Sequence, residues 1–192
     1  MPRIDDDPTE FFASEKEWDA WLADNHESAS GVWVRIAKKE TGVDSVRYPE
    51  VLDTAIAYGW IDHIRRKLDD THFLQRFTPR GPRSKWSKIN RKKAEEMIRS
   101  GTMKPAGLRE VEKAKADGRW AAAYDGQRTM QVPRDLQAEL DADPAMKEFF
   151  EGLSSQNRYA FLYRLDDAKK PETRARRFAQ FVEMLKKRET FY

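Results

Sequence analysis

WIDHIRRKLDDTHFLQRFTPRGPRSKWSKINR, residues 60–91, decides the fold. Two β-rich segments, Trp60 to Lys67 and Thr71 to Phe77, flank Leu68-Asp69-Asp70. Asp is favoured in such turns because its carboxylate bonds nearby backbone N–H groups. The spacing therefore predicts a hairpin. Phe73 and Phe77 share one face with Gln75 between them, and His72, Leu74 and Arg76 share the other. The stretch then becomes a connection, Thr78-Pro79-Arg80-Gly81-Pro82-Arg83-Ser84-Lys85-Trp86-Ser87. From Gln75 to Lys93 there are many Lys and Arg and no Asp or Glu, whereas the rest of the chain mixes its signs.

Upstream of the hairpin, Gly31 to Lys38 alternates β-branched or aromatic residues with small and basic ones, a third strand. Ser14 with Glu17 forms a capping-box pattern ahead of Trp18, Trp21 and Leu22. Tyr48-Pro49-Glu50 opens another helix, stopped by Gly59. Residues 1 to about 10 read as a loose acidic lead. Downstream, Asn90 is placed to cap a helix that ends at Gly101. Further helices open at Pro105, Pro133, Asp143-Pro144, Ser154 and Pro171. In the last one, Phe178, Phe181, Val182 and Leu185 repeat at helical spacing. Strands thus come first and helices after, an α+β order. The reading is a small, about three-stranded antiparallel or mixed sheet covered by helices, with a helical C-terminal half. Residues 1–125 form the α+β core carrying the basic loop, and 126–192 the helical region.

The 192 residues carry six Trp, ten Phe and six Tyr, enough apolar surface for a packed core. Charged residues reach 36% at a net charge of only +3. That balance does not suit a chain devoted to long nucleic acid. The absence of cysteine excludes disulfides, thiolate metal sites and a Cys nucleophile, and fits a cytoplasmic setting. No stretch is apolar enough for a membrane span, and the N-terminus has no signal-peptide core. His26, His63 and His72 lack the local spacings that hold zinc, so no metal is expected. No phosphate-cradling loop, dinucleotide fingerprint or nucleophile elbow appears, and no cofactor is expected.

Two sites merit naming. In the basic loop, Arg80, Arg83, Lys85 and Lys88 suit phosphate oxygens, Trp86 suits stacking, and Ser84 and Ser87 add short donors. The competing reading has Thr78-Pro79-Arg80 and Trp86-Ser87 pinning a long connection to the core, with its cations merely solvated. In Trp60-Ile61-Asp62-His63, a carboxylate adjoins an imidazole. Neighbours on a strand face opposite ways, so Asp62 is expected to pair instead with an Arg of the basic loop or of the last helix. In the last helix, Arg174, Arg176 and Arg177 sit where the helix dipole disfavours cations, which points to carboxylates such as Asp166 and Asp167 nearby.

The motifs Gly59-Trp60-Ile61-Asp62, Phe77-Thr78-Pro79-Arg80, Ser84-Lys85-Trp86-Ser87-Lys88-Ile89-Asn90, Gly101-Thr102-Met103-Lys104-Pro105-Ala106-Gly107, Ala114-Lys115-Ala116-Asp117-Gly118-Arg119-Trp120 and Ala168-Lys169-Lys170-Pro171-Glu172-Thr173-Arg174 occur in this order. Together they resemble the bacteriocin-protection, YdeI/OmpD-associated family, from about Phe11 to about Lys187. The resemblance implies a bacterial factor in resistance to bacteriocins or cationic antimicrobial peptides, with no reaction attached. It marks Trp60, Asp62, Pro79, Arg80, Ser84, Trp86, Ser87 and Asn90 as motif positions without roles. His63 stands where a small residue is common in the family, and Tyr58 where Cys is frequent. The expected function is non-enzymatic binding of an anionic ligand or a protein partner. The residues expected to carry it are Trp60, Asp62, Arg80, Arg83, Ser84, Lys85, Trp86, Ser87 and Asn90. The alternatives are an enzyme with Asp62 in a cleft, or a nucleic-acid-binding module.

Overall fold

The computed structural model describes residues 6–39 and 41–192. Its strands are β1 (Thr9–Phe11), β2 (Val32–Ala37), β3 (Trp60–Lys67) and β4 (His72–Pro79). Its helices are α1 (Glu15–Asn25), α2 (Tyr48–Ala57), α3 (Lys88–Ser100), α4 (Pro105–Ala116), α5 (Arg134–Ala142), α6 (Pro144–Glu151), α7 (Ser155–Asp166) and α8 (Pro171–Lys186). The chain divides into two compact units, Met1–Ala123 and Tyr124–Tyr192. All four strands lie in the first and only helices in the second, so the α+β class stands. No helix among the described residues is long and apolar enough to cross a membrane.

The sheet has four strands rather than three, in the order β1-β2-β4-β3. β1 runs parallel to β2, and the other two pairings are antiparallel. β1 lies where a loose lead was expected. Trp33 N donates to the Pro8 carbonyl at 2.8 Å, and Arg76 Nε donates to the buried Asp7 carboxylate at 2.7 Å. These two ties hold the acidic lead on the sheet. The first five residues of that lead lie outside the described set.

The alternation in β2 and β4 sets the core face. Val32 stands opposite Phe77, Val34 opposite Gln75 and Ile36 opposite Phe73. Against them pack Trp18 and Leu22 from α1 and Val51, Ala55 and Ile56 from α2. Trp18 Nε1 donates to the Val51 carbonyl at 3.0 Å and so ties α1 to α2. Gln75, the polar interruption on this face, is only 3% exposed. Its amide donates to the Ile64 carbonyl at 3.3 Å, which offsets the cost of burying it. That carbonyl is available because β3 carries a bulge. His63 and Ile64 together stand opposite Arg76, between the Asp62–Phe77 and Arg65–Gln75 pairs.

Gly59 has φ +76, a left-handed conformation that turns the end of α2 directly into β3. Ser87, not Asn90, caps α3: its Oγ accepts from Asn90 N at 3.1 Å. The second unit has its own core, with Leu136, Leu140, Met146, Phe150, Phe161, Phe181 and Leu185 among its buried members. The arginines early in α8 do not turn to Asp166 and Asp167. Arg174 pairs with Asp135 at 2.6 Å and Arg177 donates to the Arg164 carbonyl at 2.7 Å.

Candidate functional site

The basic loop leaves β4 at Pro79 and reaches α3 by way of Ser87. Arg80 turns inward and is 6% exposed. Its guanidinium carbon lies 3.6 Å from the Trp86 ring centroid, and Nη1 donates to the Lys85 carbonyl at 3.1 Å. Trp86 is 1% exposed and meets Trp120 edge-on at 4.9 Å. Its indole is part of the core and leaves no ring face open for a base. Ser84 Oγ accepts from Gly81 N at 3.0 Å, and its carbonyl accepts from Arg119 at 2.9 Å. Trp60 Nε1 donates to the His26 carbonyl at 3.2 Å, and its ring meets Trp21 edge-on at 5.9 Å. The nine marked residues therefore separate into three groups. Trp60, Arg80, Trp86 and Asn90 are buried, Asp62, Ser84 and Ser87 are half-buried, and Arg83 and Lys85 are exposed, as is Lys88.

Asp62 does not take an Arg as its hydrogen-bonding partner. The Tyr48 hydroxyl donates to its Oδ2 at 2.8 Å. His63 sits in the bulge. Desolvation of the ring and then the nearby Arg76 hold its pKa below 6.5, while Asp62 pulls the other way and does not win. No cluster of three or more His, Asp or Glu among the described residues is placed to hold a metal ion.

A cleft of about 740 Å³ opens beside this stretch, lined by Ile36, Ala37, Phe73, Tyr48 and Pro49 and by the cations Lys38, Lys39, Arg47 and Arg65. Its origin is a mismatch of lengths. Eight-residue strands run about 26 Å, and the ten residues of α2 cover only about 15 Å. α2 packs on β3, and towards the hairpin end a base of buried Ile36, Ala37 and Phe73 is walled by cationic side chains in place of helix. Phe73 and Ile36, neighbours across the ladder, form the apolar floor. The Arg65 guanidinium lies 3.7 Å from the Phe73 ring centroid. Lys38 Nζ donates to the Asp69 and Asp70 carbonyls at 2.7 and 2.9 Å, tying the end of β2 to the hairpin turn.

Charge separates this cleft from other hollows. Among its described lining residues there is no carboxylate. Smaller hollows elsewhere carry Asp125 and Asp166, or Glu148, or Glu15, Asp19 and Asp53. Tyr48 and Pro49 open α2, so the positive end of the helix dipole also lies at the cleft edge. Sequence reasoning missed the site because its lining comes from four separate segments. Arg47 stands immediately before a helix start, where the dipole disfavours a cation, but Glu50 in the first turn already offsets it, so no local signal marked the cleft.

Residues 10–110 match the family model described as a domain of unknown function (DUF8412). Residues 129–188 match the family model described as Bacteriocin-protection, YdeI or OmpD-Associated. No curated protein and no solved structure matches the chain significantly.

Proposed function

Because the chain belongs to the family described as a domain of unknown function (DUF8412), a description that names no reaction, we propose a function from the site itself: this is a non-enzymatic binding protein for an anionic ligand. A single observation supports the reading. Four cationic side chains gather on one apolar cleft whose described lining holds no carboxylate. Cations brought together repel one another, and an anion relieves that repulsion. Arg65 and Phe73 bring the Trp60–Asn90 stretch into the cleft wall. In this reading Arg83 and Lys85 add to the positive field of the stretch, and Ser84 supplies a short donor. Trp60, Asp62, Arg80, Trp86, Ser87 and Asn90 hold the surface in place. In a cytoplasmic bacterial setting, capture of such a ligand would serve stress or antimicrobial-peptide resistance. That role accords with the description matched by residues 129–188.

The experiment is amide chemical-shift mapping with pyrophosphate and with octanoate, at low and moderate salt. The expected result is saturable shifts at Lys39, Arg65 and Phe73, weakened by salt and lost in a Lys39→Glu/Arg65→Glu double variant. Both side chains are exposed, so the double variant should keep its fold. Absence of cleft shifts with either probe would overturn the reading.

A further inference from the structure

We propose that the ligand of this cleft is an amphiphilic anion: a small acid whose carboxylate or phosphate head meets the cationic rim and whose apolar body, about the size of a medium-length acyl chain, lies on the floor. This deepens the anion-binding reading and rests on it.

The lining argues for the body. Buried Ile36, Ala37 and Phe73 form an apolar base beneath exposed Pro49, and the volume of about 740 Å³ falls within the range of small-molecule sites. The carbon open to a ligand is that of exposed Pro49, half-buried Tyr48 and the alkyl stems of Lys39, Arg47 and Arg65, and a bare inorganic anion would leave it in water. The rim argues for the head. Lys39, Arg47 and Arg65 are exposed and come from three different segments, so they can meet one charged group from several sides. Lys38, half-buried, is committed to two carbonyls and contributes its charge without moving.

The lining also argues against a nucleotide. Reading a base edge takes acceptors as well as donors, and Lys and Arg side chains only donate. Among the described lining side chains the one neutral polar group is the Tyr48 hydroxyl, which already donates to Asp62. A flat or linear hydrocarbon needs no such groups, and the Arg65 guanidinium over Phe73 shows how the wall accommodates a cation beside carbon.

The test is a calorimetric titration of the full chain with acetate, hexanoate, octanoate and octanol at neutral pH, run beside pyrophosphate. Each methylene buried from water contributes about 0.8 kcal/mol, or about fourfold in affinity. Octanoate should therefore bind about fifteen-fold more tightly than hexanoate. Octanol, lacking the charge, should bind about tenfold more weakly than octanoate. Intermolecular NOEs should connect octanoate methylenes to Tyr48 and Pro49. Octanoate no tighter than acetate, with pyrophosphate still bound at the cleft, would overturn the amphiphile and leave the anion reading in place. Octanol as tight as octanoate would overturn both, as would no binding of any probe.

Discussion

Trp86→Ala separates a core role for this indole from a ligand-stacking one. The ring is 1% exposed, sandwiched between the Arg80 guanidinium and the edge of Trp120. A buried aromatic hides about 150–250 Å², and at about 25 cal/mol per Å² that is about 4–6 kcal/mol. The figure is an upper bound, because the unfolded chain already hides part of the ring. Trp86 Nε1 is buried without a hydrogen-bond partner among the described residues. The variant removes that unpaired donor, worth about 1–3 kcal/mol, and so recovers part of the loss. The net expectation is a destabilisation of about 3 kcal/mol, at the low end for aromatic-to-Ala changes in cores. Urea denaturation followed by far-UV circular dichroism measures it directly, free of the change in Trp fluorescence. A loss below about 1 kcal/mol would refute the core assignment. Unchanged stability with loss of octanoate or pyrophosphate binding would restore the ring to a ligand role.

Two further perturbations probe the frame around the site. A Cβ at Gly107 would overlap the Ala57 carbonyl oxygen and stand 2.5 Å from Met103 Sδ. Gly107→Ala must therefore move α4 away from the end of α2, at about 3 kcal/mol or more; an unchanged thermal midpoint would contradict this. Asp69 accepts from the Thr71 hydroxyl, from His72 N and from Thr71 N at 2.7–2.8 Å, which lowers its pKa from 3.8 to about 2. A depressed carboxylate pKa adds stability that is fully present above the unfolded value and disappears as pH falls through the folded one. The difference in urea midpoint between wild type and Asp69→Ala should accordingly hold steady above pH 3.8 and close towards pH 2; a difference that persists undiminished to that pH would contradict the assignment.

What the sequence discloses is mostly local. Pro49, Pro105, Pro144 and Pro171 all fall in the first turn of the helices they were read to open, because a missing N–H costs nothing there. The hairpin was legible for the same kind of reason, since the Asp69 carboxylate organises its own turn. β1 was not legible, because Thr9–Phe11 is too short for alternation to show and is held by Arg76, 69 positions from Asp7. The α3 cap was misplaced by three residues, as Ser and Asn both cap and only the geometry chooses Ser87. Burial of Arg80 was likewise hidden. A loop rich in cations reads as solvated, and the aromatic pocket that holds this one needs Trp86 and Trp120 to meet across a long loop of chain. The cleft depends on how far β3 and β4 outrun α2, a matter of packing that no single segment records.

The strand order places β3 at one margin of the sheet, with backbone hydrogen-bonding groups facing outward along eight residues. Such a margin invites a second molecule to add its own strand and so begin a growing aggregate. Here the margin is kinked by the bulge at His63 and Ile64, and Arg65, Arg66 and Lys67 follow in succession, all exposed. A second strand adding there would meet a broken ladder, and any register that set cation against cation would be destabilised by like charges facing one another across strands. The cations assigned to anion attraction in the proposed function thus also oppose strand addition in any register that sets them against their own copies.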